Sequence, residues 1–147
     1  MSVRTGSLIK GILACLLLLT FVFVLHAADD TRFTLKDGII EDSELGLQWV
    51  PATDRTMNHY DAEGYVQALS LAGGGWRLPT RAELKSLYDK YKPGGVDRKF
   101  NVSGCWVWAS ELDGSSSAWY FYFGNGRELS HECHYPYFRV LAVRSRR

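Results

Sequence analysis

The residues best suited to chemistry lie in the last third of the chain, and most of them are aromatic. Trp106, Trp108, Tyr120 and Tyr122 fall on two short strand-like runs, with Arg127 and Arg139 not far along the chain. Exposed Trp and Tyr rings stack on sugars or anchor protein contacts, and an adjacent arginine adds a charge suited to an acidic glycan. The same rings can equally fill the core of a small domain. Counting Trp119 with them, at least three of the five are expected inside.

Other reactive residues do not assemble into a constellation. In His131-Glu132-Cys133-His134, His131 and Cys133 share a strand face, but no second group at ligand spacing occurs elsewhere. The stretch reads as the solvated return of a hairpin, so no metal is assigned. Glu111 and Asp113 resemble paired carboxylates but sit in a Gly-Ser loop with no nucleophile or base beside them, so they read as an exposed loop. Gly73-Gly74-Gly75 runs into Trp76, Arg77, Leu78 and Pro79 without opening directly into a helix, which is not a phosphate cradle. His59 reads as the first turn of a helix. No catalytic residues and no cofactor follow from these patterns.

The chain has 147 residues, 17 of them basic and 16 acidic. Arg4 and Lys10 precede an apolar run from Gly11 to Leu25, and Ala27 and Ala28 follow it, the layout of a secretory signal. Residues 1–28 are therefore expected to be an export signal, with one domain over 29–147. Left uncleaved, the run would be an anchor, though it falls short of the ~20 apolar residues that span a bilayer. Without the signal the domain is close to neutral, which argues against a general nucleic-acid binder. The basic end, Arg139, Arg144, Arg146 and Arg147, reads as a solvated tail or as a contact for an anion or polysaccharide. Export permits oxidation, so Cys105 and Cys133 are expected to bridge, a link worth ~3 to 4 kcal/mol if unstrained. Two free thiols are the other reading.

Positioning these groups falls to short strands and two helices. Residues 33–50 alternate around turns at Lys36-Asp37-Gly38 and Asp42-Ser43-Glu44, which predicts an antiparallel meander ending at Pro51. Asn58 caps a helix in which Ala62, Tyr65, Val66 and Leu69 recur at helical spacing. In the second helix Thr80 and Glu83 form a capping box, and Leu84, Leu87, Tyr88 and Tyr91 form its apolar face. Downstream, strands are expected at Cys105–Ala109, at Ala118–Phe123 and at Tyr137–Val143, with a hairpin turn at Gly124-Asn125-Gly126. Strands, two helices, then strands predict an α+β domain with the helices packed on small antiparallel sheets.

The order of motifs resembles a known family. Gly46-Leu47-Gln48-Trp49, then Trp76-Arg77-Leu78-Pro79-Thr80 with Glu83-Leu84, then Trp106-Val107-Trp108-Ala109-Ser110, Ala118-Trp119-Tyr120 and Val143-Arg144 are similar to the Lcl C-terminal domain family over about 45–144. The resemblance implies a C-type lectin-like fold and a bacterial surface adhesin that binds glycosaminoglycans and other host or matrix ligands. Many members carry cysteines where this chain has Val66 and Ala142, and the triplets with which calcium-dependent lectins hold ion and sugar are absent. Arg77-Leu78-Pro79-Thr80 with Glu83 also resembles a stretch of the formylglycine-generating (sulfatase-modifying) enzymes, which act through paired cysteines; Cys105 and Cys133 do not match that pattern. The expected protein is thus an exported, non-catalytic binding or adhesion module, periplasmic, cell-surface or secreted, with a glycan or a protein of the envelope or host as partner. The alternatives are a modifying enzyme and a structural envelope subunit. Trp76, Arg77, Leu78, Pro79, Thr80 and Glu83 are read as architecture, with Trp76 in the core and Arg77 held by hydrogen bonds.

Overall fold

A computed structural model describes residues 31–147; the expected signal segment, 1–28, lies outside the described residues. Two small antiparallel sheets and few helices make up the domain. The first sheet is the predicted meander, β1 (Phe33–Lys36), β2 (Ile39–Asp42) and β3 (Leu47–Val50), closed by β7 (Ala142–Ser145) in the order β1-β2-β3-β7. Trp49 lies opposite Val143 and Gln48 opposite Arg144, so the last strand is stitched to the meander. The second sheet is β4 (Trp106–Asp113), β5 (Ser117–Tyr122) and β6 (Arg127–Glu132), in that order. As expected, Gly124-Asn125-Gly126 turns β5 into β6, with the Tyr122 carbonyl accepting from Gly126 N–H at 2.8 Å.

Between the meander and β4 lie α1 (His59–Ala68) and α2 (Arg81–Ser86). Asn58 caps α1, its side-chain oxygen accepting from Asp61 N–H at 2.8 Å. Both halves of the capping box form on α2, Glu83 N–H to Thr80 Oγ1 at 3.1 Å and Thr80 N–H to Glu83 Oε2 at 2.8 Å. The apolar stripe predicted behind that cap is cut short. Leu84 and Leu87 are buried, but the helix ends at Ser86 and Tyr91 is 84% exposed. Gly94 and Gly95, both at positive φ, pull the chain away, and a Cβ on Gly95 would lie 2.0 Å from the Phe123 carbonyl oxygen.

The second sheet separates two apolar clusters, which explains why β5 is bulky on both faces. Val107, Ala109, Phe121 and Phe123 join Ile40, Trp49, Leu84, Phe100 and Val143 on one side. Trp108, Ala118 and Cys133 join Ala62, Val66, Trp76, Leu78 and Phe138 on the other.

Two expectations about strands are corrected. Glu111 and Asp113 belong to β4, which runs through a register shift between Trp108 and Leu112 instead of ending before a loop. The expected strand Tyr137–Val143 is split: Phe138 and Arg139 make single bridges to Met57 and Val107, and β7 begins only at Ala142. The reason is topological. The chain leaves the edge of the second sheet at Arg139 and must cross both clusters, burying Val140 in one and Leu141 in the other, before it reaches the first sheet.

The expected disulfide does not form, and both thiols are free. Cys105 C=O accepts from Phe123 N–H, whereas Cys133 N–H donates to Ser116 C=O, so the two cysteines flank opposite ends of β5. At ~3.3 Å per strand residue they stand on the order of 20 Å apart. A bridge requires Cα atoms within about 7 Å.

Candidate functional site

Two regions concentrate tryptophan and arginine. In the first, Trp76 is 3% exposed and its Nε1–H donates to the Leu71 carbonyl at 2.9 Å. Arg77 grips Glu83 with two hydrogen bonds of 2.8 and 2.7 Å, and its backbone forms a bridge with Val143. Burial pushes the Glu83 carboxyl up, but Arg77 and the Thr80 N–H outweigh it and hold the group below its ordinary value. Arg144, 5% exposed, lies 4.2 Å over the Trp76 ring, donates to Gln48 Oε1 and Ala72 C=O at 2.8 and 3.0 Å, and also donates to Gly74 C=O. The Trp76 indole, Arg77 and Arg144 are thus engaged by the protein itself, so the region builds a frame.

The second region is the outer face of the second sheet. Register places Trp106, Tyr122 and Arg127 side by side across β4, β5 and β6, with Trp108, Tyr120 and Leu129 in the next row and His131 beyond, opposite Ala118. Trp106 is 45% exposed and stacks on Tyr122, with ring centroids 5.2 Å apart and planes 21° apart. Trp106, Tyr120, His131, Tyr135, Tyr137 and Phe138 line an open groove of about 200 Å³. Phe138 forms its floor, 4.4 Å from Tyr120 and 4.5 Å from Trp108 between ring centroids. Burial pushes the Tyr120 hydroxyl up, Tyr135 adds to this and Arg127 opposes it.

The expected contact residues therefore part company. Trp106, Tyr120, Tyr122 and Arg127 share one face. Trp108 is fully buried, donating from Nε1 to the Met57 carbonyl at 2.9 Å, and belongs to the core. Arg139 turns the other way, donating to Thr53 C=O and Asp54 at 2.6 and 3.2 Å; the hydrogen bond from Asn101, and then Arg139, lower the Asp54 carboxyl. Sequence reasoning missed Tyr135, Tyr137 and Phe138 as groove residues. Their signal was an aromatic run around Pro136, concealed by reading 137–143 as one strand.

His131 and Cys133, expected on one strand face, have different surroundings. The His131 ring lies 3.9 Å from Tyr135 between centroids, and its Nδ1 is buried without a protein hydrogen-bond partner. Cys133 is buried, and its thiol pushes the Tyr60 hydroxyl up. Among the described residues no three His, Cys, Asp or Glu side chains gather where they could hold a metal ion. Glu111 serves as an additional cap for α2, its carboxylate accepting from Arg81 N–H at 3.0 and 3.1 Å.

Comparison with known proteins gives one family, the Lcl C-terminal domain, which matches residues 38–144. No curated protein matches the chain. Ten chains of solved structures do. One is botrocetin, with a TM-score of 0.43 and 12% identity, over 78% of this chain and 97% of that one.

Proposed function

The chain belongs to the Lcl C-terminal domain family, and from that premise we propose that it is a non-catalytic module of C-type lectin-like architecture which holds a glycan on the outer face of its second sheet. The observation that carries this reading is the half-exposed Trp106, laid flat on Tyr122 at the mouth of an aromatic groove with Arg127 in the same row. A pyranose ring presents one face of C–H groups and a rim of hydroxyls. The first suits stacking on Trp and Tyr, and the second suits the tyrosine hydroxyls, His131 and Arg127. Arg127, in the same row as Trp106 and Tyr122, directs the preference towards acidic sugars.

The reading places the protein outside the cytoplasm, at the envelope or beyond it, after removal of residues 1–28. The enzyme alternative gains no support from the cysteines, which are too far apart for a paired site. Binding of the domain to a glycan array, followed by titration of the strongest ligand, tests the proposal. Wild-type protein should bind, and Trp106→Ala should lose binding while keeping its melting temperature within a few degrees. Failure of the wild type to bind any glycan on the array would refute it. N-terminal sequencing of the exported protein should find a chain starting near Asp29; an intact Met1 would refute cleavage.

A further inference from the structure

The aromatic groove is not isolated. A second, larger pocket of about 420 Å³ lies against α1, and its lining includes Arg55, Asn58, Tyr60, Asp61, Tyr65 and Pro136. Pro136 belongs to this pocket while its neighbours Tyr135 and Tyr137 line the groove, so the Tyr135-Pro136-Tyr137 ridge is the common wall of the two. Tyr137 stands on that ridge 63% exposed. The backbone bridge between Met57 and Phe138 ties the two pockets together, since Met57 lines one and Phe138 the other.

The chemistry of the second pocket repeats that of the first with more polar groups. Tyr60, 48% exposed, and Tyr65 supply ring faces, and Pro136 adds an apolar edge. Asn58 and Asp61 supply planar amide and carboxylate groups held in place by the helix cap, where Asn58 Nδ2–H donates to Asp61 Oδ2 at 2.9 Å. Arg55 is exposed, and among the described residues its guanidinium has no ion pair. Planar polar side chains next to aromatic rings match vicinal hydroxyls beside a C–H face, because each hydroxyl both donates and accepts.

We infer that this pocket is a second sugar subsite and that the ligand is a linear oligosaccharide crossing the Tyr135-Pro136-Tyr137 ridge, with one unit on Trp106 and another between Arg55, Tyr60 and Tyr65. The inference rests on the glycan reading of the groove. Two linked subsites make the second contact intramolecular, so affinity rises with chain length until both are filled. Gly64 provides a clean probe. It lines the pocket, a Cβ built there meets nothing within 4 Å, and it lies inside α1, where glutamine is a better helix former than glycine. Gly64→Gln therefore obstructs the subsite without weakening the fold.

The experiment titrates the domain with two ladders, cello-oligosaccharides and oligogalacturonides, each from monosaccharide to hexasaccharide. In the wild type the longer members of at least one ladder should bind about tenfold or more tighter than the monosaccharide. Gly64→Gln and Arg55→Ala should reduce the long members to monosaccharide-like affinity. A gain confined to the galacturonides assigns Arg55 to a carboxylate; a gain in both assigns it to hydroxyls. Wild-type affinity independent of length, or a gain that survives Gly64→Gln, overturns the second subsite and leaves the groove standing. If neither ladder binds at all, the linear-oligosaccharide inference falls, whereas the groove reading stands or falls with the glycan array.

Discussion

Trp76 and Trp106 head two regions of similar composition that differ in where their polar groups are spent. Around Trp76, Arg77 and Arg144 are each engaged by two or more acceptors from the chain itself, and the indole N–H is paired. Around Trp106 the rings stack in the open, and the buried His131 Nδ1 lacks a partner. A residue's type therefore says little about whether it binds anything. What matters is the capacity for contact left over after the fold has been satisfied.

That contrast can be broken by substitution, and the largest effect is expected inside the aromatic strand. Trp108→Ala removes a fully buried ring and its hydrogen bond and should cost about 3 to 5 kcal/mol in denaturant unfolding. Trp106→Ala, two residues away, should lose the stack on Tyr122 and the ring contact with Phe138, about 1 to 2 kcal/mol, and all glycan binding. Similar losses of stability at the two positions would show that the face is core throughout.

Next in size is Arg144→Met. The substitution leaves the Ala72 carbonyl without its charged donor and the Gly74 carbonyl with only the longer contact to Arg147, and should cost about 2 to 3 kcal/mol in the same measurement, with glycan binding intact at temperatures where the protein is folded. A binding defect in the folded protein would mean that the Trp76 region also faces the ligand.

Thr80→Ala should cost about 1 kcal/mol through the lost cap and leave binding unchanged. Smallest is the acid dependence of Glu83→Gln. The folded carboxyl titrates below its ordinary value of 4.5, so its stabilising contribution is present above that pH and is lost as pH falls through the folded value. The gap in melting temperature between wild type and Glu83→Gln should thus close on acidification. A gap that widened in acid would contradict the ion pair with Arg77.

Local chemistry was legible where one segment carries the whole signal. The meander turns, the Asn58 cap, the Thr80–Glu83 box and the Gly124-Asn125-Gly126 turn all involve residues within a few positions of one another, so their partners are visible in the sequence. The end of α2 was not legible. The path of the chain beyond it depends on contacts between distant segments, with Gly95 packed against the Phe123 carbonyl. The disulfide failed for the same reason, since a count of cysteines carries no information on which end of a strand each one occupies.

By itself, the sequence determined the element order, both helix starts, the family motif and the alternation that makes β5 bulky on both sides. Tertiary structure alone decided which tryptophan faces solvent. Trp106 and Trp108 share a type, a strand and a face, yet α1 and the segment at Phe138 cover one and leave the other half open. Alternation in a strand sets direction, whereas burial is set by what arrives from elsewhere in the chain.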